Sequence, residues 1–269
     1  MDKRMIAPDE VKQIEISILK EIEKICIQNG WKYLLMYGAF IGAVRHKGFI
    51  PWDDDIDIVL ERSEYDKLIA YLRSEQNTCQ WLGVLDSSVP GYYYPFAKVV
   101  DTRTVAKMTS NTTAHGVWVD VFPHENVPDT VWKANLMLDL CYLCREITIA
   151  MTTDFSAPGR IKENEFRKRF LWLCANIIGK KNVCRIYEFI SKKYRNKQTT
   201  YVGTTFSPYR RREKFNKELL RETKKYTFEN TEFVGPAEYD AVLTQLYGNY
   251  MELPPEEKRR SHNVVAWYL

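Results

Sequence analysis

The chain has 269 residues, 45% of them hydrophobic and 28% charged, and 39 Lys and Arg against 35 Asp and Glu give a net charge of +4. These are the proportions of an ordinary globular protein, large enough for one domain or a domain with an appended half, and the charge is too small to argue by itself for nucleic acid. The N-terminus has no apolar core of a secretory signal, and the most apolar run (136–151) is interrupted by Asp139, Arg145 and Glu146, so neither export nor a membrane span is expected.

Apolar Val11, Ile14, Ile18, Ile22 and Ile25 recur at three and four residues and predict an amphipathic helix over 9–29, closed by Asn29-Gly30. "WKYLLMYG" (31–38) reads as a short buried strand and "AFIGAVRH" (39–46) as a brief helix, followed by a turn at Gly48 and Pro51. "DIDIVL" (55–60) predicts a strand, with Ser63 capping a helix over 64–75. "YYPFAKVVD" (93–101) and "GVWVDVFP" (116–123) alternate as strands. Helices are expected over 130–151, 162–178, 181–195 and 236–250. The expected class is therefore α+β: a core over 1–128, a mixed sheet flanked by helices, and a mostly helical region over 129–269, appended or integral to the same domain. The six cysteines lie in apolar contexts, and Cys141-x-x-Cys144 has no second pair or nearby histidine to complete a zinc set. They read as reduced core thiols of a cytoplasmic protein.

The chemistry concentrates in "GFIPWDDDIDIVL" (48–60). On a strand, residues i and i+2 share a face, so Asp55 and Asp57 lie side by side while Ile56 and Ile58 point to the core. Two carboxylates about 4 Å apart repel by roughly 4 kcal/mol at an effective dielectric of 20, which a cation between them relieves. An all-oxygen acidic set suits magnesium or manganese. Asp53 and Asp54 precede the strand and are assigned supporting roles. Asp120, between Val119 and Val121, is expected to be a third ligand, since an isolated acid in an apolar strand avoids burial unless paired or metal-bound. Gly38 ends a strand and opens a helix, a geometry that offers backbone N–H groups to a donor phosphate. Gly42 would let another stretch of backbone approach closely.

"MYGAFIGAVRHKGFIPWDDDIDIVLERSEYDKL" (36–68) resembles the signature of the LicD family, which belongs to the nucleotidyltransferase-fold superfamily and is related to fukutin-type proteins. The similarity continues in "FAKVVDTRT" (96–104), "HGVWVDVFP" (115–123) and "YGNYMELPPEEKRRSH" (247–262), and is weaker from about 130 to 235. Ala39 departs from the family, which usually has Gly or Thr there, so a hydroxyl donor to phosphate is missing. The resemblance implies a phosphotransferase that moves a phospho-alcohol, phosphocholine foremost, from a CDP-activated donor to a hydroxyl of a cell-surface glycan or teichoic-acid precursor. It implies Asp55, Asp57 and Asp120 as catalytic metal ligands for Mg2+ or Mn2+, with Asp120 also a candidate proton acceptor. Lys98, Arg45 and His46 become candidates for stabilising phosphate charge, and Arg45 and His46 equally for closing a helix.

The expected partners are CDP-choline and a glycan or lipid-linked glycan acceptor, with no nucleic acid. A choline-selective site needs aromatic faces for the methylated ammonium. Trp52, Trp118 and Tyr92 to Tyr94 are the candidates, and packing of those rings within the sheet is the plain alternative. A nucleotidyltransferase would use the same acids but move the nucleotide. A glycosyltransferase with an Asp-x-Asp site fits less well, because only 54 residues precede Asp55. "YRRREKF" (209–215) raises RNA binding as a non-enzymatic alternative, although one basic run is more often a solvated face. The basic stretches 167–170, 191–197 and 210–214 read as solvated faces too, or as peripheral contacts with anionic lipid at the inner face of the membrane.

Overall fold

The computed structural model describes residues 4–108, 113–156, 164–259, 261 and 263–269. After a short strand β1 (Met5–Ile6), helix α1 (Pro8–Asn29) buries Val11, Ile14, Ile18, Leu19, Ile22 and Ile25 and ends on Gly30 at φ 67°, a left-handed conformation that suits glycine. Strand β2 (Tyr33–Leu35) is shorter than expected, and α2 (Tyr37–Ile41) opens one residue ahead of Gly38. A wider π turn (Gly42–His46) carries α2 to its end. Strand β3 (Asp57–Glu61) begins two residues later than expected, with Ile56 and Ile58 fully buried. Helix α3 (Arg62–Arg73) follows directly, so Ser63 sits in its first turn instead of capping it.

Four more strands follow: β4 (Leu82–Leu85), β5 (Ala97–Asp101), β6 (Thr104–Met108) and β7 (Ala114–His115). Of these the alternation of the sequence revealed only β5. Strand β8 (Trp118–Val127) runs four residues past the expected end. The second half holds the expected helices, α4 (Val131–Thr152), α5 (Glu165–Ile178), α6 (Lys180–Ser191) and α7 (Tyr239–Tyr247). Positions 162 and 163, at the start of the helix expected over 162–178, lie outside the described residues. This half also contains β9 (Tyr201–Gly203), β10 (Phe215–Asn216), β11 (Thr223–Phe228), β12 (Thr231–Pro236) and β13 (Val264–Tyr268), which the sequence did not announce.

The central sheet is mixed, as expected. β2 pairs antiparallel with β3, and β3 pairs parallel with β8. The first part of β8 pairs antiparallel with β5, and its last part with β9. A second sheet runs β1, β13, β6, β7, and β11 with β12 form a hairpin. Ile18, Leu19 and Ile22 of α1 join Leu35, Ile58, Val99 and Val119 of the sheet in one buried cluster.

The hairpin braces the turn ahead of the acidic segment. Glu229 at its tip accepts a hydrogen bond from the Phe49 N–H at 3.1 Å, and its own N–H bonds Lys47 O at 2.7 Å. Gly42 completes the turn, because a Cβ there would stand 2.3 Å from the Gly48 carbonyl oxygen. Gly42→Ala is therefore expected to cost about 1–3 kcal/mol through forced backbone movement, read as a lower urea midpoint. An unchanged midpoint would show that the turn yields freely.

Candidate active site

Register brings the polar groups together. In the parallel ladder Asp57 lies opposite Asp120, and in the antiparallel ladder Lys98 lies opposite the same Asp120. Residues in register on neighbouring strands project from one face about 4.8 Å apart, so three charged side chains form a row across β3, β8 and β5. Asp55 lies just ahead of β3, and carboxylate oxygens of Asp55, Asp57 and Asp120 all lie within 4.8 Å of one another. The backbone fastens the row: the Asp120 N–H bonds Ile56 O at 2.9 Å, and the Met36 N–H bonds Asp57 O at 3.1 Å.

The Lys98 ammonium donates to Asp120 Oδ1 at 2.6 Å, and Trp118 Nε1 donates to Asp120 Oδ2 at 3.3 Å. Lys98 also stands 4.3 Å from the centroid of the Trp118 ring. Even so Asp57 and Asp120 are poorly stabilised as anions. Burial raises Asp57 well above the carboxylate range, and the charges of Asp55 and Asp120 add to the rise while Lys98 opposes it. Asp120 is raised by burial and held down by Lys98. Glu15 of α1, almost fully buried behind the row, is also raised well above its ordinary value, first by burial and then by Asp55.

The other two aspartates have separate partners. Asp53 packs on Gly38, where a Cβ would come within 2.1 Å of Asp53 Oδ2. Asp54 accepts from Ser261 Oγ at 2.7 Å and so ties the C-terminal segment to the acidic loop.

A cavity of about 570 Å³ opens over the row. This lies within the ~300–1,000 Å³ usual for small-molecule sites. Gly38, Asp53, Asp55, Asp57, Lys98 and Asp120 line one wall. Much of the rest is aromatic: Tyr94, Phe96, Phe122 and Phe206 in one group, and Tyr37, Tyr209 and Tyr247 in another, which meets the first where Tyr37 packs edge-on against Phe122. Arg145, from the middle of α4, adds a second cation, near the Phe206 ring.

Arg45, His46, Trp52 and Trp118 are not among the residues lining this cavity. Arg45 bonds the Tyr250 carbonyl and the His46 ring, fastening the end of the π turn to the segment after α7. Trp52 stacks under the Arg259 guanidinium at 4.9 Å, with His46 beside it. Trp118 is buried against Lys98 and against His115, whose ring centroid is 4.6 Å away. Of the tyrosines proposed for a cation, Tyr94 lines the cavity. The arginines of "YRRREKF" stay on the surface but are engaged: Arg210 and Arg211 pair with Asp139, and Arg212 bonds Leu246 O at 2.9 Å. Cys141 and Cys144 are buried free thiols, and burial pushes both upward in pKa.

Arg145, Tyr209, Tyr247 and Glu213 were not singled out from sequence. A lone cation inside the apolar run 136–151 was a usable signal for Arg145. Glu213 carried none, because it sits in a basic run yet is fully buried under Tyr37. Tyr37 itself is held at φ 52°, which costs an L-residue about 1–2 kcal/mol. Strain of this kind concentrates at functional sites.

The all-oxygen, carboxylate-rich donor set fits a hard divalent cation.

The sequence is similar to known proteins. Residues 30–143 match the family described as LicD/FKTN/FKRP, nucleotidyltransferase domain. Over 271 residues the chain is 30% identical to the lipopolysaccharide cholinephosphotransferase LicD of Haemophilus influenzae, covering 97% of each protein. A stretch of 62 residues is 36% identical to an uncharacterized protein of Rickettsia prowazekii, covering 20% of this chain and 23% of that one. A stretch of 41 residues is 44% identical to an uncharacterized protein of Rickettsia typhi, covering 15% and 13%.

Glu213 generates a pH prediction. Burial lifts its carboxyl to about 7 from an ordinary 4.5; Ser207 and Tyr37 hydroxyls moderate the rise, but neither oxygen finds an aligned hydrogen-bond partner among the described residues. A raised folded-state pKa means that the folded chain binds the extra proton, so stability falls as pH rises between 4.5 and about 7. With divalent ions chelated, Glu213→Gln should flatten that slope in urea titrations at several pH values. Parallel slopes for wild type and variant would contradict a neutral Glu213.

Proposed function

The chain belongs to the LicD family, and we propose on that premise that it transfers phosphocholine from CDP-choline to a hydroxyl of a cell-surface glycan. It is an enzyme of the phosphotransferase class. One observation carries the reading: three carboxylates meet within 4.8 Å at a cavity that also presents Lys98, Arg145 and two groups of aromatic rings.

In this reading Asp55, Asp57 and Asp120 hold a divalent cation, magnesium or manganese. When bound, the ion neutralises the charge that builds up on the transferred phosphate and the departing nucleotide. Lys98 and Trp118 fix the Asp120 carboxylate from both oxygens, so its role is ligation. Asp53, packed on Gly38, positions the helix start on the cavity wall. Arg145 faces the donor's phosphates. The acceptor oxygen bonds the phosphorus that carries choline, the bond from that phosphorus to the bridging oxygen breaks, and CMP leaves with the electron pair. The acceptor's proton passes to solvent or to a carboxylate of the site.

The aromatic lining suits a quaternary ammonium, which donates no hydrogen bonds and is attracted to ring faces. Phe96 and Phe206 already face Lys98 and Arg145. Tyr209 and Tyr247 share the cavity wall with Asp53 and Asp57, and we assign the choline head group to them.

Asp57→Asn keeps the shape of the row but removes a ligand charge. Loss of an outer partner alone costs about 10–100-fold, so CMP release from CDP-choline should fall by at least that much. Folding should survive, because a repulsive carboxylate has been neutralised. EDTA should abolish turnover in wild type, and magnesium or manganese should restore it. CDP-choline should outcompete CDP-glycerol and CDP-ribitol. Near-normal turnover by Asp57→Asn would remove the ligand role. Release of pyrophosphate from CTP and phosphocholine, without CMP release from CDP-choline, would establish a nucleotidyltransferase instead.

A further inference from the structure

Helix α5 is apolar on two faces. Leu171 and Ala175 are buried against Ile147 and Met151 of α4. Phe166, Phe170, Leu173 and Ile177 follow one another at four, three and four residues, which gathers them into an arc of about 60° on the far side of the helix. They are 87%, 58%, 51% and 77% exposed. A monomer does not ordinarily leave such a continuous stripe of large side chains in water.

The charge around the stripe says what covers it. Residues 165–197, which span α5, α6 and the turn after them, contain ten Lys and Arg against two Glu, a difference of +8. The rest of the chain holds 29 basic and 33 acidic residues, so this segment carries all of the protein's excess positive charge. Several of the cations, Lys181, Arg185 and Lys193 among them, are exposed, and α6 adds Phe189, also exposed. An apolar stripe with aromatic side chains, beside a dense positive field, is complementary to the interface of a bilayer that contains anionic lipid. A second copy of the same basic segment would be repelled.

We propose that α5 and α6 dock this chain on an anionic membrane surface, with the Phe166–Ile177 stripe immersed at the headgroup boundary. Among the described residues no helix is long and apolar enough to cross a membrane, so the contact is peripheral. Since α5 packs on α4, and α4 supplies Arg145, Ile149 and Thr152 to the cavity wall, docking sets the cavity close to the lipid surface. The inference rests on surface composition and stands apart from the assigned reaction.

The test is co-sedimentation of the full chain with vesicles of phosphatidylcholine alone and of phosphatidylcholine mixed with phosphatidylglycerol. Wild type should partition to the anionic vesicles, and salt at about 1 M, where charges are screened beyond roughly 3 Å, should weaken binding. Phe166→Ser/Phe170→Ser, changing side chains already in water, should keep the wild-type melting temperature and lose roughly tenfold or more of the partitioning. Lys181→Glu/Arg185→Glu should lose the preference for anionic vesicles. No binding to either vesicle, equal binding to both, or an unaffected phenylalanine variant would overturn the proposal. So would a soluble dimer that the phenylalanine variant converts to monomer, since the stripe would then join two copies. None of these readouts involves turnover of a donor, so failure here leaves the phosphotransfer reading untouched.

Discussion

The structure depends on holding like charges in register. Parallel pairing of β3 with β8 sets Asp57 against Asp120, and the loop before β3 adds Asp55 to the same cluster. A sheet does not arrange this for stability, because burial raises the carboxyls of Asp57 and Asp120 and the neighbouring acids raise them further. The fold tolerates the row through three devices. Lys98 sits opposite Asp120 on β5 and neutralises part of the charge. Trp118 closes over Lys98 and donates to Asp120 from two residues away on the same strand. The main chain on either side is locked by ordinary sheet hydrogen bonds and by the buried Ile56 and Ile58.

The four aspartates of residues 53–57 then divide their work by geometry. Asp55 and Asp57 turn toward Asp120, Asp53 fills the space that the missing side chain of Gly38 leaves, and Asp54 anchors Ser261. Elements distant in sequence serve the same segment. The β11–β12 hairpin props the preceding turn through Glu229, and Arg45 fastens the π turn to the chain after α7. Functional geometry at a short acidic loop is thus maintained by contacts that span most of the chain.

What was legible from sequence follows from range. Local periodicity exposed α1 and α4 to within a residue or two, and the alternation of Asp with Ile exposed β3 and its acids. Strands of two or three residues such as β9 and β10 carry too few positions to show a period, and they form because β8 offers a free edge. β13 is called into being by β6, some 160 residues earlier in the chain, a pairing no local window contains. The single residues follow the same division. Asp120 was visible as an acid among valines, whereas its partnership with Lys98 required knowing which strands neighbour β8. Trp118 looked available to a ligand because its strand position is correct, but its ring is spent on Lys98 and His115. Glu213 was hidden because burial inside a run of arginines has no sequence signature.

The central claim is that the acidic row is a cation site, with Lys98 as its partial counter-charge. The most direct measurement is a crystal structure grown with manganese and CMP, with anomalous scattering recorded at the manganese edge. The account predicts an anomalous peak between the carboxylates of Asp55, Asp57 and Asp120, absent from crystals of Asp57→Asn. No peak at that position in wild-type crystals, with manganese bound elsewhere or nowhere, would contradict it.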